Sequence, residues 1–381
     1  MRVFFKTIFV HVLVNLYVFW WGWKILPDRK YIRIPFILFF VLELFVYLVG
    51  FFASDYLPTS ILNNIMWLGT SWVIFVAFLA VFLLGYDFLR FINKKVIRLF
   101  RQRIDLESKK LRLTYFLTII VFVFCVMVYG NYNFRHPAVT EMTLEVDKES
   151  KLDNLRIVMV SDVHAGLLID KKILNMYVDR IMEQDPDLIL LVGDIIDYDL
   201  KSVTNQNMQE EFKRLKAPYG VYGSTGNHEY IRLSEEENYN KIDWLTEKSG
   251  ITMLRDSAIM VDSTIYIVGR EDDKQPNRKP LSQILDNVNK NYPVIVMNHE
   301  PNDLKEEANN NVDIALYGHT HNGQVFPWNF VIALNYELSY GYKKKDNTHM
   351  YVSSGLGLAG PQYRIGTKSE IVVLNVKFRK K

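Results

Sequence analysis

The chain changes character near residue 130. Before it, apolar residues run on with no polar face. After it, short apolar runs alternate with polar stretches. Four apolar segments fill the first part, at residues 3–23, 34–52, 61–85 and 113–129. Each approaches or exceeds the roughly 20 residues a helix needs to cross a bilayer core of about 30 Å. Trp20, Trp21 and Trp23 close the first and Tyr129 the fourth, as suits a membrane interface. Core helices of a water-soluble protein would have to be apolar on all sides four times in succession. The pattern therefore predicts a region of four transmembrane helices over residues 1–130. Arg2 and Lys6 resemble the start of a signal peptide, but no small-residue cleavage pattern follows Trp23, so the first segment reads as an anchor.

Residues 131–150 turn polar and read as a linker with the first strand of a second domain. Residues 155–160 and 188–192 are continuous apolar runs, the mark of strands buried on both faces. A short strand at Val221 precedes a tight turn, and further strands are expected at residues 265–268, 294–297, 314–317, 350–353 and 371–376. Residues 171–184 put Ile173, Leu174, Tyr177, Val178, Ile181 and Met182 on one helical face. Helical stretches are also expected near 234–249 and 281–290. Residues 151–381 thus predict an α/β domain with a mixed sheet, following a multi-pass α-helical membrane region.

Charge adds a direction. The net charge is only +3, which points to no nucleic-acid partner. Its distribution is uneven. Lys24, Arg29, Lys30 and Arg33 lie between segments one and two, whereas residues 53–60 hold no Lys or Arg. Between segments three and four come Arg90, Lys94, Lys95, Arg98, Arg101, Arg103, Lys109, Lys110 and Arg112. The positive-inside rule puts both basic connections in the cytoplasm, and the chain after segment four outside. Arg2 and Lys6 argue the other way and are outnumbered. The single cysteine, Cys125, excludes an intramolecular disulfide and a thiolate metal cluster.

The chemistry sits where strands end. Ser161-Asp162-Val163-His164 follows the strand at 155–160, and Gly193-Asp194 with Asp197 follows 188–192. Gly226-Asn227-His228-Glu229 follows Val221, Asn298-His299-Glu300 follows 294–297, and Gly318-His319-Thr320-His321 follows 314–317. In open α/β sheets the site forms beyond the carboxyl ends of the strands, so five strand ends converge. Five of the eight histidines are spent there; His11, His136 and His349 receive no role. Carboxylates, an amide oxygen and imidazoles without sulfur suit Mn²⁺, Fe, Zn²⁺ or Co²⁺. There are more ligands than one ion needs, and two ions about 3.5–4 Å apart need a bridging carboxylate, for which Asp194 is the natural choice. Two divalent ions with Asp162, Asp194 and a hydroxide stay net positive, which suits an anionic phosphate.

This order of motifs resembles the calcineurin-like metallophosphoesterase family: Asp-x-His, Gly-Asp, Gly-Asn-His-Glu, a lone His, then Gly-His-x-His. The resemblance covers about residues 150–381 and implies a layered α/β-β/α sandwich. It further implies that Asp162, His164 and His321 hold one metal, that Asn227, His299 and His319 hold the other, and that Asp194 bridges. His228 would bind no metal; it would contact the phosphate and protonate the leaving oxygen. The likeness is greater to the membrane-attached bacterial branch, in Gly269-Arg270-Glu271-Asp272-Asp273 and in the tail from Gly355 to Ile371. Asn322 stands where that branch usually has glycine, and Asn tolerates the left-handed conformation. Some relatives of that branch hydrolyse a nucleotide-linked diacylglucosamine in lipid A synthesis.

The expected activity is hydrolysis of a phosphate monoester, diester or pyrophosphate by a metal-activated hydroxide. A lipid-linked substrate is expected from the short connection to segment four. It is also expected from the apolar run Val325, Phe326, Pro327, Trp328, Phe330, Val331, Ile332 and Leu334. A silent binding protein would usually have lost a ligand, and all seven are present. A transporter is disfavoured because the segments hold few charges, Glu43 chief among them.

Overall fold

The structure is a computed structural model that describes residues 2–52, 56–96, 104–231, 235–358 and 360–379. It divides into two compact units: residues 1–129 with 360–362, and residues 130–359 with 363–381. The first unit is helical: α1 (Arg2–Ile25), α2 (Lys30–Phe52), α3 (Thr59–Lys95) and most of α4 (Lys109–Arg135). All four helices are long and apolar enough to cross a membrane. Exposed Phe, Leu and Val side chains cover their outer faces. Polar groups turn inward: Trp72 Nε1 donates to Asn15 Oδ1 at 2.8 Å, and buried His11 lies beside that amide. Arg98, Arg101 and Arg103 of the second basic connection, and residues 53–55 of the uncharged one, lie outside the described residues.

The second unit opens with β1 (Ala138–Glu149), β2 (Asn154–Val160), α5 (Lys171–Met182), β3 (Leu188–Val192), α6 (Leu200–Thr204) and α7 (Gln209–Phe212). There follow β4 (Val221–Ser224), α8 (Glu235–Ser249), β5 (Thr252–Met253), β6 (Ser257–Val261), β7 (Ile265–Gly269) and α9 (Leu281–Ile284). It closes with β8 (Val294–Met297), α10 (Leu304–Asn309), β9 (Ile314–Tyr317), α11 (Trp328–Asn335), β10 (Gly341–Lys345), β11 (Thr348–Val352) and β12 (Glu370–Arg379). Residues 131–135, read as linker, instead continue α4, because Phe134 is fully buried against Val158 and Tyr177. Only His136 and Pro137 separate that helix from β1.

Two six-stranded sheets face each other, ordered β1-β12-β2-β3-β4-β5 and β10-β11-β9-β8-β7-β6. Period-two alternation explains why their central strands are apolar on both faces. Ile157 and Met159 point between the sheets with Leu190, Ile295 and Leu316. Val158 and Val160 point outward under α5, against Tyr177 and Val178. On the second sheet Val294, Val296, Ala315 and Tyr317 pack outward with Leu281 and Leu304 from α9 and α10. This is the expected sandwich of helices, two sheets and helices. Asp170 starts α5 by accepting from Ile173 N at 2.9 Å. β2, β3 and β4 run parallel, as do β7, β8 and β9, so each trio ends at one edge of its sheet.

Candidate metal centre

Each expected ligand lies in the turn that follows its strand. Asp162 and His164 follow β2, Asp194 follows β3, Asn227 and His228 follow β4, His299 follows β8, and His319 and His321 follow β9. The two sheets meet at these turns. Gly193 and Gly226 permit the approach: a Cβ on Gly193 would lie 2.4 Å from His299 Nδ1, and one on Gly226 2.3 Å from Asp194 Oδ1. Asp162, His164, Asp194, His319 and His321 all have φ between 49° and 69°. That region is uncommon for residues other than glycine and costs of order 1–3 kcal/mol each. Five strained residues in one place are a functional signature rather than a packing accident.

The turns are pinned so that the side chains converge. Glu229 accepts from the backbone N–H groups of Asp194, Ile195, Ile196 and Gly226 at 2.8–3.0 Å, tying the β3 turn to the β4 turn. Asp194 Oδ1 accepts from His228 N at 2.8 Å, and Asp162 accepts from His319 N at 3.1 Å. The motif at 269–273 acts as a brace between the sheets. Glu271 accepts from Thr225 Oγ1, from Tyr230 and from Arg255, while buried Arg270 pairs with Glu306 at 3.0 Å.

Two ligand groups result. In one, His321 Nε2 lies 3.4 Å from Asp162 Oδ1 and 3.3 Å from His164 Nε2. In the other, His299 Nε2 lies 3.2 Å from Asp194 Oδ2, and His319 Nδ1 lies 2.8 Å from Asn227 Oδ1. Asp194 Oδ2 is also 3.6 Å from His164 Nε2, so this carboxylate is close to both groups. The donor atoms of Asp162, His164 and His321, and likewise those of Asp194, His299 and His319, lie within 4.8 Å of one another. His164, Asp194 and His228 satisfy the same criterion. All eight sequence-selected residues are therefore brought together, His228 included. His11, His136 and His349 lie elsewhere: in α1, beyond α4 and on β11.

The electrostatics fit cations. His299 donates Nδ1–H to Val192 O at 2.9 Å, leaving Nε2 buried with no hydrogen bond and aimed at Asp194. Burial would raise the Asp194 carboxyl, but the imidazoles of His299 and His164 hold it well below the ordinary carboxylate range. Burial would lower His164 and His299, yet the Asp194 and Asp162 carboxylates push both upward, joined at His164 by Asp197. The centre thus draws in positive charge. Burial keeps His321 neutral, down to about 3, the state that offers a lone pair to a metal.

One contact was not assigned from the sequence. His228 Nδ1 lies 2.8 Å from Asp197 Oδ1. Burial opposes ionisation of Asp197, but hydrogen bonds from His164 and His228 hold it at about 2, so it can only accept. His228 therefore donates Nδ1–H, which leaves Nε2 to carry or release a proton. Asp197 had a visible signal, a carboxylate three residues beyond Asp194 at the same strand end.

The comparisons with known proteins agree with this geometry. The calcineurin-like phosphoesterase family model matches residues 155–323, the stretch that contains all eight of these residues. A transmembrane protein with metallophosphoesterase domain from Danio rerio is 30% identical over 369 residues, covering 92% of this chain and 81% of that one. The chain belongs to the calcineurin-like metallophosphoesterase family. Bacterial relatives are as close: an uncharacterized metallophosphoesterase of Campylobacter jejuni is 30% identical over 303 residues, or 78% of each chain. One from Helicobacter pylori is 28% identical over 325 residues, covering 83% and 84%. The relatives thus include both bacterial and animal proteins. The Danio rerio match is longer than the second unit, so the likeness reaches into the helical region. Membership makes the chain a metal-dependent phosphoesterase, and calcineurin-like phosphoesterases use a dinuclear divalent metal centre.

Proposed function

We propose that the chain is a membrane-anchored hydrolase that cleaves a phosphate monoester, diester or pyrophosphate bond carried by a lipid-linked substrate. The observation that carries the reading is the convergence of two groups of His and Asp side chains with Asp194 close to both, and a hydrogen-bonded Asp197–His228 pair beside them. Asp162, His164 and His321 would hold one divalent ion, Asn227, His299 and His319 the other, and Asp194 both. When bound, such ions supply Lewis acidity toward phosphoryl oxygens and lower the pKa of a water toward neutrality. The remaining work falls to the chain. Asp197 orients His228 by accepting its Nδ1–H, so that Nε2 is the atom that can donate a proton to the departing oxygen. Glu229 and Glu271 keep the turns in register while charge builds on the phosphate. The short passage from α4 to β1 and the exposed apolar run after His321 support a substrate held in or near a bilayer.

Substitution separates holding metal from moving a proton. Purified full-length chain should contain two equivalents of divalent metal and hydrolyse aryl phosphate esters with added Mn²⁺. Asp194→Asn should lose metal and activity together. His228→Ala should keep both metals and lose turnover by roughly 10²- to 10⁴-fold. The loss should be least for leaving groups that need no proton. Metal analysis of His228→Ala decides between proton donor and ligand: an emptied site would assign His228 to the metal set, which its distance to His164 and Asp194 permits.

A further inference from the structure

The strongest feature outside the metal centre is α11. Its eight residues, Trp-Asn-Phe-Val-Ile-Ala-Leu-Asn, include no charged side chain and no buried one. Leu334 is 87% exposed, Trp328 61% and Phe330 60%, with Phe326 and Val331 also open. Isolated exposed apolar residues are ordinary, but five large ones within nine positions mark an interaction surface. No Asp, Glu, Lys or Arg occurs in residues 325–335, so covering this surface desolvates no charge.

Its position in the fold identifies what covers it. Phe326 N donates to Ile365 O at 2.7 Å, and Ile365 N donates to Gln324 O at 3.1 Å. The neighbouring Arg364 N donates to Gly130 O at 2.9 Å, and Asn133 Nδ2 donates to Arg364 O at 3.2 Å. Residues 364–365 therefore lie between the start of α11 and the end of α4, two strand-like spacings or about 10 Å apart. Gly130 directly follows the apolar run that ends at Tyr129, where a membrane-crossing helix would leave the hydrocarbon. The headgroup layer beyond it is about 5–8 Å deep on each side. A helix that starts within about 10 Å of that exit, uncharged and led by Phe326 and Trp328, carries the exposed aromatic and apolar side chains that favour a membrane interface.

We propose that α11 is an interfacial helix that beds into the bilayer surface beside the exit of α4. The occupant of the patch is lipid, not a second copy or another protein. This would set the distance of the metal centre from the membrane, because Gly323, two residues beyond His321, packs so closely that an added Cβ would lie 2.3 Å from Asn329 N. The inference concerns where the domain sits and rests on no assignment of substrate or metal role.

The test uses the full chain in phosphatidylcholine–phosphatidylglycerol nanodiscs. Cys125→Ser removes the native thiol, and Phe330→Cys, Leu334→Cys or, as an exposed reference, Lys216→Cys carries a nitroxide. Labels at 330 and 334 should show oxygen-to-nickel accessibility ratios several-fold above that at 216. Equal ratios at all three positions would overturn the proposal. Shielding from both reagents at 330 and 334 would overturn it as well, since it would mean a protein covers the helix. Melting curves that match the Cys125→Ser parent keep the comparison between folded proteins. Activity is not read, so loss of the phosphoesterase reading would leave this result standing, and the reverse holds too.

Discussion

Arg364 is a fully buried cation that forms no ion pair among the described residues. Its guanidinium donates to three carbonyls: His321 O at 2.8 Å, Gly355 O at 2.9 Å and Gly357 O at 2.6 Å. Burial lowers its pKa to about 10, which still leaves it charged at neutral pH. Such a group is retained for geometry, since the flat fork reaches carbonyls on two loops at once. One of those loops carries His321, and the other runs beneath Asp162, where Gly355 would bring a Cβ within 2.9 Å of the Asp162 Cβ. Arg364 is thus a positioning residue for the Asp162–His321 half of the centre. Arg364→Lys keeps the charge and loses the fork, leaving buried carbonyls unpaired at about 1–3 kcal/mol each. Its thermal midpoint should fall, and one of the two metals should become easier to strip with chelator while the other holds. An unchanged midpoint with unchanged metal retention would show that the fork positions nothing.

At the scale of elements, what the sequence reveals depends on how completely an element is buried. β3, β8 and β9 match their apolar runs residue for residue, because both faces of a central strand are covered and every position must be apolar. The edge strand β10, Gly-Tyr-Lys-Lys-Lys, carries no such run; its lysines guard an open edge and look like loop. The helix expected at 281–290 stops at Ile284, where Asp286, Asn287, Asn289 and Asn291 favour turns over helix. α11 was legible only as an apolar run, since its two polar residues, Asn329 and Asn335, are too few to mark a helical period. Metal ligands announce themselves by type and by place after a strand. Arg364 does not, because pairing with backbone carbonyls leaves no partner to find in the sequence. The left-handed turn at residue 322 was legible: Asn322 has φ 48° and ψ 35°. The tight contact at Gly323 was not. Gly323 has φ +72°, so Gly323→Ala strains the backbone by about 1–3 kcal/mol and drives a methyl into the first turn of α11. The expected result is a lower melting temperature together with weaker metal retention, read on the same sample by calorimetry and metal analysis. A variant with a lower melting temperature but full metal content would mean that α11 and the His321 turn are mechanically separate.

For the whole molecule the open choice is which side of the membrane the active site faces. Lys24 lies 3.6 Å from the Trp20 ring centre, Arg33 4.4 Å from Trp23, and Arg112 4.8 Å from Trp21. Trp21 in turn contacts Tyr86 and Phe116, so the basic residues of the first and third connections share one end of the helical unit with its aromatic belt. Arg90 at the end of α3 is paired with Asp87 at 2.9 Å and with Glu107, and Tyr86 donates to Leu106 O at 3.0 Å, folding the third connection onto the same end. At 1.5 Å per residue, α3 is roughly 55 Å long, well beyond a bilayer core of about 30 Å, so its basic last turns would stand in water if it crosses. A cluster of Lys and Arg on short connections stays in the cytoplasm. α4 begins at this end and runs to Arg135, which would carry the phosphoesterase domain to the opposite, extracytoplasmic side. Reporter fusions after Lys151 should therefore score as extracytoplasmic, and fusions after Lys94 as cytoplasmic. Cytoplasmic scores at both positions would mean that one of the four helices does not cross. A reversed pair, with Lys94 outside, would mean that Arg2 and Lys6 set the orientation against the larger clusters, and the substrate would then be sought on the cytoplasmic face.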